Sequence, residues 1–288
     1  MGSIGLVDGR IVDLSEKVLP MEDRGHQFGD GVYEVTRVYN SKCFALEPHL
    51  NRMFRSLREL RIPATYTMEE LTEFHELLIK ESGIDEGSIY LQITRGVSPR
   101  GHAFPEKVEP RLTMSIRPVN DSANKVLREN GAKAIVIPDE RWLRCDIKSL
   151  NLLGNILGKQ RAKEAGCFEA IMVRDGFVTE GTSSNFFIVK DGLLWTYPSS
   201  NLILKGITRT ILIDKILPKL DLMVIEKPFS ANFAKDADEA FVTGTNSEIT
   251  PITVIDGKPI KEGTVGPITK QLQQAYSNLI AEECGKKN

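Results

Sequence analysis

Asp-Gly dipeptides at positions 8–9, 175–176 and 191–192 stand between short runs of β-branched, aromatic and aliphatic residues. This punctuation is the tightest constraint on what the chain can fold into. Asp-Gly tolerates the positive φ of a two-residue turn, so each dipeptide predicts neighbouring strands joined as a hairpin. Residues 3–7 and 10–14 pair across the first, and strands at 169–173, 177–179, 185–189 and 193–197 surround the other two. Runs of the same character at 31–40, 43–46, 88–95, 111–117, 133–137 and 240–243 extend the list of predicted strands.

Helices alternate with these strands. Glu47-Pro48 opens one, because Leu50, Met53, Phe54, Leu57 and Leu60 recur at three and four residues while Arg52, Arg55, Arg58 and Arg61 take other faces. Further helices are expected at about 67–81, 150–164, 207–216 and 269–284, with Ser149 or Asn151 capping the third and Gly166 ending it. The pattern reads as α+β, or mixed α/β. A chain of 288 residues exceeds one ordinary domain, and the short polar stretch 120–124 is the expected linker between lobes at 1–119 and 125–288.

Composition narrows the function classes. The 37 basic and 39 acidic residues leave a net charge of −2, so the chain lacks the positive excess that a nucleic-acid backbone rewards. Apolar runs fall far short of the roughly 18 residues a spanning helix needs. Neither end carries a secretory leader or a myristoylation or prenylation pattern, and the expected location is the cytoplasm. Cysteines at 43, 145, 167 and 284 are single, and histidines at 26, 49, 75 and 102 lack metal spacing, so no metal is expected.

Four segments can carry chemistry. Lys148 lies among Ile147, Leu150, Leu152 and Leu153, a setting that favours the neutral amine needed to attack a carbonyl. It is also one of 20 lysines, most of which must be plain solvated charges. Glu180 leaves a strand into the small-residue loop Gly181-Thr182-Ser183-Ser184 and can hold a positive ring nitrogen or serve as a surface acid. Leu204-Lys205-Gly206-Ile207-Thr208-Arg209 and Thr243-Gly244-Thr245-Asn246-Ser247 are amide-rich turns suited to an anion or to simple capping, with Arg52 a candidate counter-charge. Arg100 and His102, two apart on a Gly/Pro loop, can grip a carboxylate or merely face solvent.

Together with Glu22 to Val35, which includes Arg24-Gly25-His26-Gln27-Phe28-Gly29-Asp30-Gly31, and with Ser247-Glu248-Ile249-Thr250-Pro251, these blocks resemble the fold-type IV pyridoxal-phosphate enzymes. The bacterial D-amino-acid aminotransferases are the subfamily they resemble most. The resemblance implies a smaller N-terminal α/β lobe and a larger, barrel-like C-terminal lobe that binds pyridoxal 5′-phosphate. It implies that Lys148 carries the cofactor covalently and shuttles the substrate proton, and that Glu180 pairs with the pyridine nitrogen. Arg52, the Ile207 and Thr245 amides and the Thr208 hydroxyl would hold the phosphate, and Leu204 would support the ring. Tyr33 would contact the cofactor near its phenolic oxygen as well as the substrate carboxylate, and Arg100 and His102 would bind that carboxylate, reaching in from the partner of a homodimer. The implied reaction takes the amino group of a D-amino acid, D-alanine, to a 2-oxo acid, 2-oxoglutarate. A branched-chain or (R)-amine transaminase, an aminodeoxychorismate lyase and a non-catalytic binder are the alternatives. Asn246 departs from the small hydroxyl residues more usual there and bears on substrate preference.

Overall fold

The computed structural model describes residues 2–285, which form two units. The first holds 2–120, 147–151 and 280–285; the second holds 121–146 and 152–279. Expectations that rest on Met1 and on residues 286–288 lie outside the described residues.

In the first unit the elements are β1 (Ile4–Val7), β2 (Arg10–Val12), α1 (Arg24–Phe28), β3 (Gly31–Tyr39), β4 (Lys42–Cys43), α2 (Leu46–Glu59), α3 (Met68–Ser82), β5 (Gly87–Thr94) and β6 (Arg111–Pro118). The strands form one antiparallel sheet in the order β2-β1-β6-β5-β3-β4. The hairpin predicted across Asp8-Gly9 is present, with both residues at positive φ and Val7 paired to Arg10. The strand expected at 43–46 stops at Cys43, because Ala45 turns the backbone left-handed (φ 52°) into α2.

Period-two alternation sorts this sheet into two faces. Ile89, Leu91 and Ile93 of β5 are buried with Leu50, Met53 and Leu57 of α2 and Leu71 and Leu78 of α3. In register with them on β3, Glu34 stands opposite Leu91 and Thr36 opposite Ile89, so Glu34 belongs to the helix-covered face. Tyr33, opposite Gln92, belongs to the other. β4 covers only Val38 and Tyr39 of the outer edge of β3. Residues 148–150 take the opposite end of that edge: the Tyr33 N–H donates to the Lys148 carbonyl and the Leu150 N–H to the Gly31 carbonyl, each at 3.0 Å.

The second unit contains α4 (Ser122–Asn130), β7 (Ala132–Pro138), α5 (Leu153–Glu164), β8 (Glu169–Arg174), β9 (Phe177–Gly181), β10 (Asn185–Lys190), β11 (Leu193–Thr196), α6 (Ile207–Ile211), β12 (Val224–Glu226), α7 (Ala231–Lys235), β13 (Glu239–Gly244), β14 (Glu248–Ile255), β15 (Lys258–Pro259) and most of α8 (Pro267–Cys284). Besides the short β12, α7 and β15, which were not expected, four findings differ from the sequence reading. Residues 122–124 of the expected linker begin α4, where the Asp121 carboxylate binds Arg128 and Asn124. Residues 148–150 are extended by their pairing with β3, so α5 starts at Leu153 after an N-cap, Leu152, without a side-chain bond. The helix expected over 207–216 becomes π-helical at Leu212–Ile216. β14 was not anticipated, since Pro251 in its middle reads as a breaker.

The mixed sheet runs β12-β11-β10-β13-β14-β7-β8-β9, with β15 on β14. β9 ends at Gly181 and β10 begins at Asn185, yet five strand steps separate them in that order. Laid flat, five steps span about 24 Å. The four Cα–Cα links from 181 to 185 reach at most about 15 Å. The sheet must therefore curl until its ends approach, which is the barrel-like character expected of this lobe. Phe186, Ile188, Val242, Ile252 and Ile171 fill its core.

Among the described residues no helix is long and apolar enough to cross a membrane, and no His/Cys/Asp/Glu group could hold a metal ion. All four cysteines are free thiols.

Glu169, 1% exposed, clamps the turn that the curl depends on. Its carboxylate accepts from the Thr182 hydroxyl, the Thr182 N–H (3.2 Å), the Ser184 hydroxyl (2.8 Å) and the Ala170 N–H (2.9 Å). Glu169→Ala orphans these donors and should lower the unfolding free energy by roughly 2–4 kcal/mol in urea titrations; an unchanged midpoint would contradict the clamp.

Candidate active site

Lys148 is fixed by its backbone before its side chain does anything. Its carbonyl accepts from Tyr33, its N–H donates to the Ser56 hydroxyl at 3.3 Å, and the next residue, Ser149, bridges Val32. The half-buried side chain carries Nζ to 4.2 Å from the centroid of the Tyr33 ring, which itself stacks on Tyr90 at 5.6 Å. Of the apolar neighbours expected around it, Ile147 is buried, whereas Leu153 is 75% exposed.

One residue along β3, Glu34 is fully buried on the helix side and needs compensation there. Arg52 provides it with a two-pronged pair, Nε to Oε1 at 2.7 Å and Nη2 to Oε2 at 2.8 Å, and His49 Nδ1 donates to Oε2 at 2.8 Å. Burial alone would raise the Glu34 carboxyl, but the Arg52 guanidinium overrides it and holds the group well below the usual carboxylate range. Burial pushes the His49 imidazole down against the pull of Glu34. Arg52, expected at a phosphate, thus commits two of its nitrogens to Glu34. Neither Glu34 nor His49 was singled out from sequence; the one available signal was a carboxylate at an inward position of a β-rich run.

In the second unit Glu180 is the penultimate residue of β9, 4% exposed. Its Oε1 accepts from Arg141 Nη1 at 2.5 Å and its Oε2 from the Asn185 amide at 2.9 Å, while the Leu204 N–H lies 3.2 Å from both oxygens. Arg141 is shared: Nε and Nη2 bind the two oxygens of Asp139, each at 2.9 Å. Asp139 also accepts from the Thr179 hydroxyl and pairs with Arg174. Burial pushes Glu180 up to about 7, with Arg141 only partly opposing it. Asp139 falls to about 2 despite burial, because Arg141 serves it twice. Asp139-Glu140-Arg141 reads in sequence as a solvated charge run, so this support was missed.

Asn185 joins Glu180 to the first anion-suited turn. Its amide nitrogen also donates to the Leu204 carbonyl at 2.8 Å, and its oxygen accepts the Gly206 N–H at 3.1 Å. Gly206 is the N-cap of α6, and a Cβ there would fall 2.1 Å from that oxygen. The first-turn amides at Ile207 and Thr208 then have no intrahelical acceptor, and the buried Thr208 hydroxyl lies 3.4 Å from that of Tyr276. The second turn follows from strand register. Asn185 is paired with Thr243, so the 243–247 turn bearing half-buried Thr245 lies beside the strand end that holds Gly206. The Thr243 hydroxyl is buried without a partner among the described residues.

Arg100 and His102 are exposed on the 96–105 loop of the first unit, both against the ring of Phe28, at 4.5 Å from the guanidinium and 5.8 Å between ring centroids. The first unit thus gathers Lys148 with Tyr33, and Arg100 with His102. The second gathers Glu180, Leu204, Ile207, Thr208 and Thr245.

This donor set suits pyridoxal 5′-phosphate. A buried carboxylate pushed to about 7 lacks the positive charge a protonated pyridine nitrogen would bring, and the paired turns offer free amides and hydroxyls to a phosphate. Such features are those of a pyridoxal-phosphate site. The amino-transferase class IV family pattern matches residues 31–255, and the chain belongs to that family of pyridoxal-phosphate aminotransferases. The D-alanine aminotransferase of Listeria monocytogenes serotype 1/2a (strain 10403S) is 45% identical over 284 residues, 98% of this chain and 97% of that protein. The crystal structure of Escherichia coli branched-chain amino acid aminotransferase superposes with a TM-score of 0.91 at 28% identity, covering 100% of this chain and 97% of that one. That of the branched-chain enzyme from Thermobaculum terrenum in its PLP form gives 0.86 at 27% identity, over 99% and 96%.

The Glu180 shift has a pH signature. A carboxyl raised from 4.5 to about 7 favours the fold most when protonated, so its contribution is complete below 4.5 and is lost as pH climbs to about 7. In cofactor-free protein, the stability of Glu180→Gln relative to wild type should therefore grow across that window, as followed by urea unfolding at several pH values. A flat difference would show that Glu180 is not raised.

Proposed function

We propose that the chain is a homodimeric cytoplasmic transaminase that moves the amino group of a D-amino acid to a 2-oxo acid, with D-alanine and 2-oxoglutarate giving pyruvate and D-glutamate. The observation that carries the substrate side of this reading is the joint placement of Arg100 and His102 on either side of Gly101, both against Phe28. Such a pair offers a forked and a single donor to one carboxylate. The near full-length likeness at 45% identity to a D-alanine aminotransferase supports the same choice over the branched-chain reading, whose structural likeness comes at 28% identity.

Pyridoxal phosphate supplies the aldehyde that takes up the nitrogen and the ring that draws electrons from the substrate's α-carbon. In this reading Lys148 Nζ binds the cofactor at rest, removes the α-proton of the amino donor, and returns a proton to the α-carbon of the 2-oxo acid in the second half of a ping-pong cycle. Glu180, held in place by Arg141, Asn185 and the Leu204 amide, would pair with the ring nitrogen and favour its protonated form. The Ile207 and Thr245 amides, the Thr208 hydroxyl and Arg52 hold the phosphate, and Leu204 supports the ring. Tyr33 orients the substrate carboxylate near Lys148. Arg100 and His102 complete the carboxylate contact from the partner subunit, which accords with their exposure here. Leu153, Ile156 and Leu157, 57–75% exposed at i, i+3 and i+4 on α5, give the second copy an apolar face to cover. Free thiols suit the reducing cytoplasm.

The holoenzyme should lose its cofactor absorbance on mixing with D-alanine and not with L-leucine; the reverse preference would establish the branched-chain alternative. Lys148→Ala should abolish turnover, and borohydride reduction of wild type followed by peptide mapping should place the pyridoxyl group on Lys148. Normal turnover in that variant would end this mechanism.

A further inference from the structure

Resting on the assignment of Arg100 and His102 to the substrate carboxylate, we infer that Arg24, Phe28 and Asp30 are positioning residues that set these two donors in place before substrate arrives. Arg100 and His102 sit on a loop whose tip is exposed from Pro99 to Phe104, where nothing in the loop's own Gly- and Pro-rich sequence would order them. The order comes from α1. Arg24, 3% exposed, donates from Nη1 to the carbonyl of Gly101 at 2.7 Å, gripping the one residue that separates the two donors. Its Nε is held by Asp30 Oδ2 at 2.8 Å.

The same Asp30 oxygen accepts from Arg95 Nε at 2.8 Å, at the start of the loop. Arg95 is anchored in turn to the carbonyls of Arg61 (2.9 Å) and Leu60 (2.7 Å), and its guanidinium lies 3.7 Å from the ring centroid of Phe104 at the loop's far end. Beginning, middle and end of the loop are thus tied to one carboxylate. Backbone bonds reinforce the tie, from Arg24 N–H to Gly96 O at 2.9 Å and from Arg95 N–H to Asp30 O at 3.0 Å.

Phe28 completes the device as a shelf. Its ring receives the Arg100 guanidinium at 4.5 Å, the Arg24 guanidinium at 4.9 Å and the tilted His102 ring at 5.8 Å. An arginine on an aromatic face keeps its N–H edge directed outward, in the plane a carboxylate needs. The cluster's charge also favours an anion: Arg24, Arg95 and Arg100 outnumber Asp23 and Asp30, and Asp23 is occupied by the Gly25 and His26 amides and the Thr94 hydroxyl. Lysine cannot replace Arg24, because a single ammonium cannot serve Asp30 and Gly101 in the same forked geometry.

The test uses holoenzyme carrying Arg24→Lys, Phe28→Leu or Arg100→Ala, with KM and kcat for D-alanine and 2-oxoglutarate, the Ki of propionate as a bare carboxylate, and the single-turnover rate with D-alaninol, which lacks one. Arg24→Lys and Phe28→Leu should raise KM and Ki about five- to tenfold with kcat within about twofold and the D-alaninol rate unchanged. Adding Phe28→Leu to Arg100→Ala should then raise Ki by a smaller factor than Phe28→Leu does alone, because only His102 and Arg24 still rest on the ring. Loss of kcat and of the D-alaninol rate in equal proportion, with KM and Ki unmoved, would mark a merely structural role and overturn the inference. If Arg100→Ala raises Ki while both other variants leave it alone, this inference falls by itself. If Arg100→Ala leaves Ki unchanged, the carboxylate assignment falls and takes the inference with it. Should Arg24→Lys not fold, Phe28→Leu decides.

Discussion

Two backbone hydrogen bonds lock residues 148–150 onto the outer edge of β3, and much of the first unit's chemistry follows from that pairing. A strand alternates its side chains with a period of two, so the register fixes what lies near Lys148 without further adjustment. Tyr33 comes to the lysine side, where its ring lies 4.2 Å from Nζ. Glu34 goes to the opposite face, into the core beneath α2, where only a guanidinium and an imidazole make its burial tolerable. A slip of one residue would exchange the two. The tyrosine would be driven into the helix-covered core and the carboxylate set beside the amine.

The two units treat buried carboxylates in opposite ways, and the difference is one of counting cations. Glu34 has two nitrogens of Arg52 and the His49 imidazole, and it stays ionised whatever the pH of a cell. Glu180 has one nitrogen of an arginine whose other two are spent on Asp139, and it rises to about 7. The first is a finished structural ion pair. The second is an ion pair with a vacancy of charge, which is the condition for a carboxylate whose proper partner comes with a ligand. Burial creates that condition, and Asp139 adds to it by holding two of the nitrogens of Arg141.

How much of this was legible in the sequence depended on whether the signal was local. The Asp8-Gly9 hairpin, the amphipathic α2 and the helix α3 lie within a few residues of their own cues, and all three form close to where they were read. The start of α5 was read three residues early because the extension of 148–150 is imposed by β3, more than a hundred residues away. β14 was missed for a related reason: Pro251 reads as a breaker until its neighbours on β13 and β7 are known. In the site, Lys148, Glu180 and the two turns stood out by residue type, and the resemblance to fold-type IV enzymes gave them roles. The supporting residues did not stand out. Arg141, Asp139 and His49 are ordinary charges and an ordinary imidazole in one dimension, and they acquire meaning only from whom they meet in three.

The comparisons sharpen where specificity must reside. A TM-score of 0.91 to a branched-chain enzyme at 28% identity means that chains of widely different sequence hold this backbone almost unchanged. A shared scaffold does not by itself choose the substrate, and in the function proposed above that choice falls to a short exposed segment. The 96–105 loop has the attributes of such a segment, being exposed and carrying donors suited to a carboxylate. Exposed side chains discriminate poorly when they must be ordered at the moment of binding, because the entropy of fixing them is subtracted from every contact they make. Under the inference drawn from Arg24 and Arg95, buried guanidiniums remove that cost in advance. The stability spent on placing Arg24 and Arg95 in the interior is thereby recovered as geometry at the surface.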